Sequence, residues 1–529
     1  MFKKIERQKT LDRKDKIFID YINDQKEIKK YFKDKIDFED NKAISRELIN
    51  TLKKYNQDCG AERKTLENIE KLKEKDTCVV ITGQQPVLVA GSIYIIYKII
   101  DTIKYAKDLS KKLKREVIPV FWNASDDDDW EEVNQVCLIN KENLLKIIKI
   151  RAKKDIKNIP FGKISLDNLC ITEFIEELKD SLADTKFKEE VIFTITDSRE
   201  KATYYSQWFS ALILRLFSKY GLIIIDPNEK KVKELLKPLL KKEIENPTCS
   251  TRLLDKTGKQ LKIDGYTPKI HKLSHLCNFY ILRDDRRCKV SYHHNYFLVG
   301  EERFNQKELL KYLEDRPESF YVNVVLRTLA QSLLLPVVGC VCGPGEVAYS
   351  AQLKDIYKTF NIRMPYIIPR NSATLIEERI YKILNKYNLH PFELKSEQDV
   401  LVKKIVKKRH RLEEIGRLKN KTIGSLEGIK KHILDIDQNL LSVFKKLNYQ
   451  IKLSFDDFEK SVIKHKKKDA EIIYKQINRL KDNLFPKNCL QERCLNIYYF
   501  LNKYGLDFVD CLLERIPFDF RYHYYVKID

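Results

Sequence analysis

The sequence predicts an α/β protein: a doubly wound parallel sheet carrying insertions, followed by a helical coiled-coil arm. Three observations predict it. About five short apolar runs, rich in β-branched residues, alternate with helical periodicities between residues 77 and 372. Four of these runs end in glycine-, proline- or acid-rich turns, the positions where open α/β sheets bind ligands. Beyond about residue 373 the strands stop, and apolar residues recur at spacings of three and four.

Taken in order, residues 1–75 read as charged and helical. Residues 77–82 (TCVVIT) form the first strand, closed at once by Gly83-Gln84-Gln85-Pro86. Ile96, Ile99, Ile100 and Ile103 then mark a helix over 92–113, and 117–122 (VIPVFW) is the next buried strand. Strand, helix and strand within about 45 residues make a βαβ unit. The alternation resumes with helix 202–220, strand 222–226, helix 229–245, helix 321–334, strand 336–342, helix 345–360 and strand 366–369. Stretches 140–198 and 264–300 interrupt it as insertions, the second β-rich. The expected organisation is a core over 1–372, an arm over 373–485 and an aromatic-rich segment, 486–529, packing back on the core.

In the arm, Leu426, Ile429, Ile433, Ile436, Leu440, Phe444 and Leu447 form one seam, and Ile473, Ile477, Leu480 and Leu484 another. A continuous helix over 420–448 would run about 43 Å at the α-helical rise. These seams predict an antiparallel helical hairpin with apolar surface left over for a second copy, hence a homodimer.

Composition narrows the function classes. Of 529 residues, 43% are hydrophobic and only 15 are glycine and 15 proline, which excludes disordered, collagen-like and Pro-rich chains. One hundred basic residues against 77 acidic ones give a net charge of +23. Such a surplus attracts polyanions, but also small anionic substrates. The lysines are dispersed along helices, so a basic coiled-coil nucleic-acid-binding protein is the non-enzyme alternative, and the expectation is no nucleic acid. The twelve cysteines include no Cys-x-x-Cys pair, which argues against ribbon zinc and thioredoxin-type sites. No metal site is expected: His271, His275 and Cys277, and His293-His294, read as structural. The start lacks a signal-peptide apolar core, and no apolar run reaches the ~18 residues that span a bilayer. A cytoplasmic protein without membrane contact is the expectation.

The chemistry is sought at the strand exits. Gln84 and Gln85 offer two-way hydrogen bonding beside a glycine turn, and Lys98 on the following helix can meet an anion. Ser125-Asp126-Asp127-Asp128-Asp129 follows the second strand; acids there bind a metal, orient a hydroxyl, act as a general base, or simply cap a helix. Gly343-Pro344-Gly345-Glu346 opens a helix after the fourth strand without a Walker lysine, with Arg327 on the preceding helix as a carboxylate clamp. Arg370 and Ser372 follow the last strand, and Arg370 suits phosphate or carboxylate.

These segments stand as TGQQPVLVAGSIYIIYK, IPVFWNASDDDDWEEVN, VCGPGEVAYSAQL and MPYIIPRNS. In this order they resemble the cysteine ligase family of bacillithiol biosynthesis, the bacillithiol cysteine-adding enzymes. The resemblance runs from about residue 78 to 372, and the helical hairpin suits it. It implies a nucleotidyltransferase-like Rossmann core with two connecting-peptide insertions and a coiled coil that mediates dimerisation. The implied reaction joins L-cysteine to the glucosamine amine of glucosaminyl malate as an amide. ATP is a reasonable co-substrate, since amide formation from a free acid is uphill in water, although no P-loop is visible. An alternative is another amino-acid-activating, ATP-dependent ligase or nucleotidyltransferase of the same superfamily. The expected catalytic residues are Asp127, Asp129 and Glu346; Gln84, Gln85, Lys98, Arg327, Arg370 and Ser372 are expected to bind substrate. Two departures matter: Asp128 stands where the family commonly has histidine, and Ser92 where it has proline.

Overall fold

The computed structural model describes residues 3–11, 15–36, 44–409, 412–465 and 467–528. The chain divides into two units, one of Met1–Thr374 with Glu492–Val526, the other of Leu375–Gln491 with Lys527–Asp529.

The first unit is built on five parallel strands: β1 (Cys78–Gln84), β2 (Val117–Asn123), β3 (Ile223–Ile225), β4 (Val337–Cys342) and β5 (Tyr366–Pro369), in the order β5-β4-β1-β2-β3. Ile81 pairs with Val120 on one side and Cys340 on the other, and all four ladders are parallel. These are the five runs expected from sequence. Their side chains are buried on both faces, which is why they read as continuous apolar runs rather than alternating ones. Helix α1 (Ile93–Leu113) covers the sheet with Ile95, Ile96, Ile99 and Ile100 fully buried. Because the strands are parallel, their carboxyl ends lie along one edge, and the GQQP, acidic, glycine-rich and Pro-Arg turns share it.

The insertions differ in kind. Residues 135–149 fold as a hairpin followed by two helices, Ile171–Ser181 and Lys188–Glu200. The second forms a separate antiparallel sheet from Leu276–Arg283 onward, and it recruits Phe320–Val322, whose last two residues are expected as the start of a helix. That helix, α2 (Val324–Leu334), begins later because Asn323 caps it: its side-chain oxygen accepts from Val325 N at 3.0 Å and Leu326 N at 3.3 Å. The helix expected over 229–245 is likewise two, Lys230–Leu235 and Lys237–Glu245, parting before Pro238, whose ring disfavours continuation.

The segment after residue 491 completes the first unit. Between β1 and α1 the chain makes three successive left-handed residues, Val89, Ala90 and Gly91, at φ 51°, 57° and 77°. A β-branched residue there is strained. Asn496 holds the turn, donating to Val89 O at 2.9 Å, and Ile93 N donates to Leu495 O at 3.1 Å. Ser92 donates its hydroxyl to Cys494 O at 3.3 Å. Glu492 is buried; it accepts from Arg370 Nη2 at 2.7 Å, Ser372 Oγ at 2.9 Å and Ala373 N at 3.0 Å. Ser372 also bonds His523 Nδ1 at 2.7 Å.

The second unit contains an antiparallel helical hairpin: α3 (Gln398–Arg409) and α4 (Leu412–Ile436) run out, α5 (Leu440–His465) and α6 (Lys467–Leu484) run back. The uninterrupted helix expected over 420–448 does not form. Asp437 breaks it, its carboxylate accepting from Asn439 N at 2.8 Å, and this turn is the hairpin tip. Ile473, Ile477, Leu480 and Leu484 are fully buried, whereas Ile429, Ile436, Val443 and Leu447 stay exposed. Among the described residues no helix is long and apolar enough to cross a membrane.

Burial would raise the Glu492 carboxyl, but Arg370, His523 and Arg7 hold it down to about 2. A carboxyl depressed in the folded state contributes stability above its unfolded value, about 4.3, and loses it as pH falls through the folded one. Glu492→Gln should therefore flatten the loss of stability between about pH 5 and pH 2.5. Urea midpoints across that range check this; parallel wild-type and variant curves would refute it.

Candidate active site

At the carboxyl edge of the sheet lies a cavity of about 270 Å³. Gly83, Gln84 and Gln85 enter it from β1, Trp122, Ala124 and Asp127 from β2, Arg327, Thr328 and Gln331 from α2, and Gly343 to Glu346 and Tyr349 from the turn after β4. Gly83 sits in close quarters: a Cβ there would lie 3.0 Å from the Trp122 carbonyl oxygen and press on it.

Its charges come in opposed sets. Lys98, buried on α1, donates to both Glu346 carboxylate oxygens at 2.8 Å, to Gln84 Oε1 at 3.4 Å and to the Gly83 carbonyl. Glu346 also accepts from Gly343 N at 2.7 Å, so the glycine-rich turn directs its first amide to its own helix (Pro344–Ser350). On the opposite wall Gln85 Nε2 donates to Asp127 Oδ2 at 2.9 Å, and Arg327 reaches the same oxygen at 3.5 Å and Asp126 Oδ1 at 3.2 Å. Burial pushes the Asp127 carboxyl up, but Arg327, Arg287, Gln85 and the Asp128 amide together hold it below its usual value. Asp127 is thus anionic at neutral pH and a weak base. Nearby Glu132 is pushed up by partial burial and by the charges of Asp129 and Asp127.

The acidic run divides by burial. Asp126 is fully buried against Arg327, and Asp127 faces the cavity. Asp128 holds Arg287, which donates from Nε to Oδ2 at 3.0 Å and from Nη2 to Oδ1. Asp129 is exposed and precedes the short helix Trp130–Val133, outside the cavity lining. Of the residues expected from sequence, Gln84, Gln85, Lys98, Asp127, Arg327, Glu346 and Arg370 line the cavity, and Asp129 and Ser372 do not. Arg370 lines it while its guanidinium is ion-paired with Glu492, and Ser372 is buried beside the same carboxylate.

Sequence reasoning passed over Arg287, Gln331 and Arg493. Arg287 comes from the antiparallel insertion, and Arg493 from the C-terminal segment; neither follows a strand of the parallel sheet, so no motif marks them. Cys340 and Cys342 border the cavity with their sulfurs 3.5 Å apart. The contact with Cys340 and burial push the Cys342 thiol well above its usual value, which leaves it protonated and unreactive.

A cavity at the carboxyl edge of a parallel sheet, walled in part by paired acids and bases, belongs to the class of Rossmann-like enzymes acting on small molecules. The chain belongs to the BshC family of bacillithiol biosynthesis. Residues 2–371 match the family model described as Bacillithiol biosynthesis BshC, N-terminal Rossmann-like domain, and residues 373–528 its C-terminal coiled-coil domain. The chain is 32% identical to the "Putative cysteine ligase BshC" of Carboxydothermus hydrogenoformans, over 94% of this chain and 93% of that protein. It is 29% identical to the proteins of the same name from Salinibacter ruber, over 91% and 88%, and Bacillus cereus strain Q1, over 97% and 98%. These relationships place the protein among enzymes, as a ligase.

Arg327→Met should leave Asp126 buried without its guanidinium, costing about 3–5 kcal/mol of stability. Guanidinium-chloride unfolding checks this, and a loss below about 1 kcal/mol would show the pair to be dispensable.

Proposed function

We propose that this protein attaches L-cysteine to the glucosamine amine of glucosaminyl malate, forming the amide bond of bacillithiol. The observation that supports it most is the match to both family domains over nearly the whole chain, with the four strand-exit motifs meeting around one cavity. The reaction demands three things of the residues. The amine must be held and must lose its proton before it attacks. Asp127, held anionic by two guanidiniums, binds the ammonium form, orients it and accepts the proton that the nitrogen sheds as the C–N bond forms and its acidity rises. Glu346, fixed by Lys98 and the Gly343 amide, presents a carboxylate to an ammonium or hydroxyl from the opposite wall. Gln84 and Gln85 supply amides for sugar or malate oxygens. Activation of the cysteine carboxyl is the remaining demand, because amide formation from a free acid is uphill in water; ATP is the co-substrate we propose for it. Mass spectrometry of a reaction containing glucosaminyl malate, cysteine and ATP tests the proposal. Thiol product with AMP or ADP supports it, and absence of product with folded enzyme rejects it.

Asp127→Asn and Glu346→Gln should each lower kcat/KM by about 100-fold or more, whereas Asp129→Asn, outside the cavity, should stay within about threefold of wild type. Circular dichroism controls for folding. If Asp127→Asn and Glu346→Gln are both folded and near wild type, these acids only stabilise the fold.

The exposed seam of the arm supports a homodimer, as exposed apolar residues at helical spacing want a partner surface. Light scattering at micromolar concentration should give a dimer, and Ile429→Glu with Leu447→Glu should give a monomer. A monomeric wild type would reject the assembly.

A further inference from the structure

The cavity's cations differ in how far they are already engaged. Lys98 is committed to Glu346, Arg327 to Asp126 and Asp127, and Arg370 to Glu492. Arg493 also lines the cavity, is exposed, and makes no hydrogen bond or ion pair among the described residues. Its guanidinium lies 5.9 Å from the centre of the Tyr94 ring, a cation–π arrangement that orients the side chain and leaves its N–H groups available.

The backbone that carries it is fixed on both sides. Glu492, one residue before, is anchored by Arg370, Ser372 and the Ala373 amide. Cys494, one residue after, accepts from Ser92 through its carbonyl oxygen, and Asn496 clamps Val89. An arginine held this firmly at a cavity mouth, with its donors unspent, is preorganised for a planar oxyanion, which two parallel N–H groups can grip.

We propose that Arg493 is the anion-binding residue of this cavity, and that the group it grips is a carboxylate or phosphate of a substrate entering it. The proposal rests on the cavity being the substrate site, as argued above, and deepens that reading by assigning a residue and a ligand chemistry. It also gives the C-terminal segment a part in recognition, beyond packing.

The test is isothermal titration calorimetry of the full-length protein with two probes, L-malate for a carboxylate and inorganic pyrophosphate for a phosphate. Wild type should bind at least one, and Arg493→Met should weaken that binding by about tenfold or more, as losing a charge-assisted pair does. Arg493→Lys, which keeps the charge but not the fork, should fall between them. Loss for malate alone assigns the carboxylate, loss for pyrophosphate alone the phosphate, and loss for both a shared oxyanion site. Thermal melts confirm folding; should Arg493→Met unfold, Arg493→Lys alone must still weaken binding. Wild type binding neither probe at about 10 mM, or variants binding both as wild type does, overturns the proposal. Turnover is not read, so failure of the ligase assay with these shifts intact would reject the reaction and keep the anion site.

Discussion

The buried ion pair between Arg370 and Glu492 is the joint on which the first unit depends. Arg370 leaves the last strand of the parallel sheet, and Glu492 arrives from a segment more than a hundred residues later; each is almost fully removed from water. Two charges so buried are tolerable only with close pairing and with their remaining hydrogen-bonding capacity met. Arg370 Nη1 donates to Asn371 O at 2.7 Å, and Glu492 takes Ser372 Oγ and the Ala373 amide as well. The pair thereby fixes where the returning chain meets the sheet edge. From that point Asn496 reaches the left-handed turn at 89–91 and holds a conformation that Val89 would not adopt alone.

The cavity follows the same logic of matched charge. Asp127 and Glu346 face it from opposite walls, and each is held by cations from another element: Arg327 and Arg287 for one, Lys98 for the other. In a site partly shielded from water, such pairing keeps the acids ionised and their positions defined before substrate enters. The same pairing makes the protein's net charge of +23 uninformative about the site, because the cavity's own cations are mostly neutralised. The surplus belongs to surface lysines.

Much of the fold was legible because its cause is local. Residues 78–82 or 337–342 are apolar throughout since both faces of a parallel strand are buried, and the turn after each is written in glycine, proline or acid. Boundaries set by side-chain caps or turns were less so: Asn323 starts one helix late, and Asp437 ends another that apolar spacing would have carried through. The spacing there is true of both flanking helices, but periodicity does not register a three-residue turn between them.

The sequence by itself determined which residue types stand at the ends of the parallel strands, and through them the family; motif chemistry is contiguous, and strand exits converge by topology. Only the tertiary structure decided which of four consecutive aspartates faces the cavity. That choice depends on Arg327 and Arg287, which lie some 160 to 200 residues away in sequence and claim Asp126 and Asp128. It likewise decided that Arg370 is engaged while Arg493 is unpaired among the described residues, since the availability of a charge depends on what else has folded beside it.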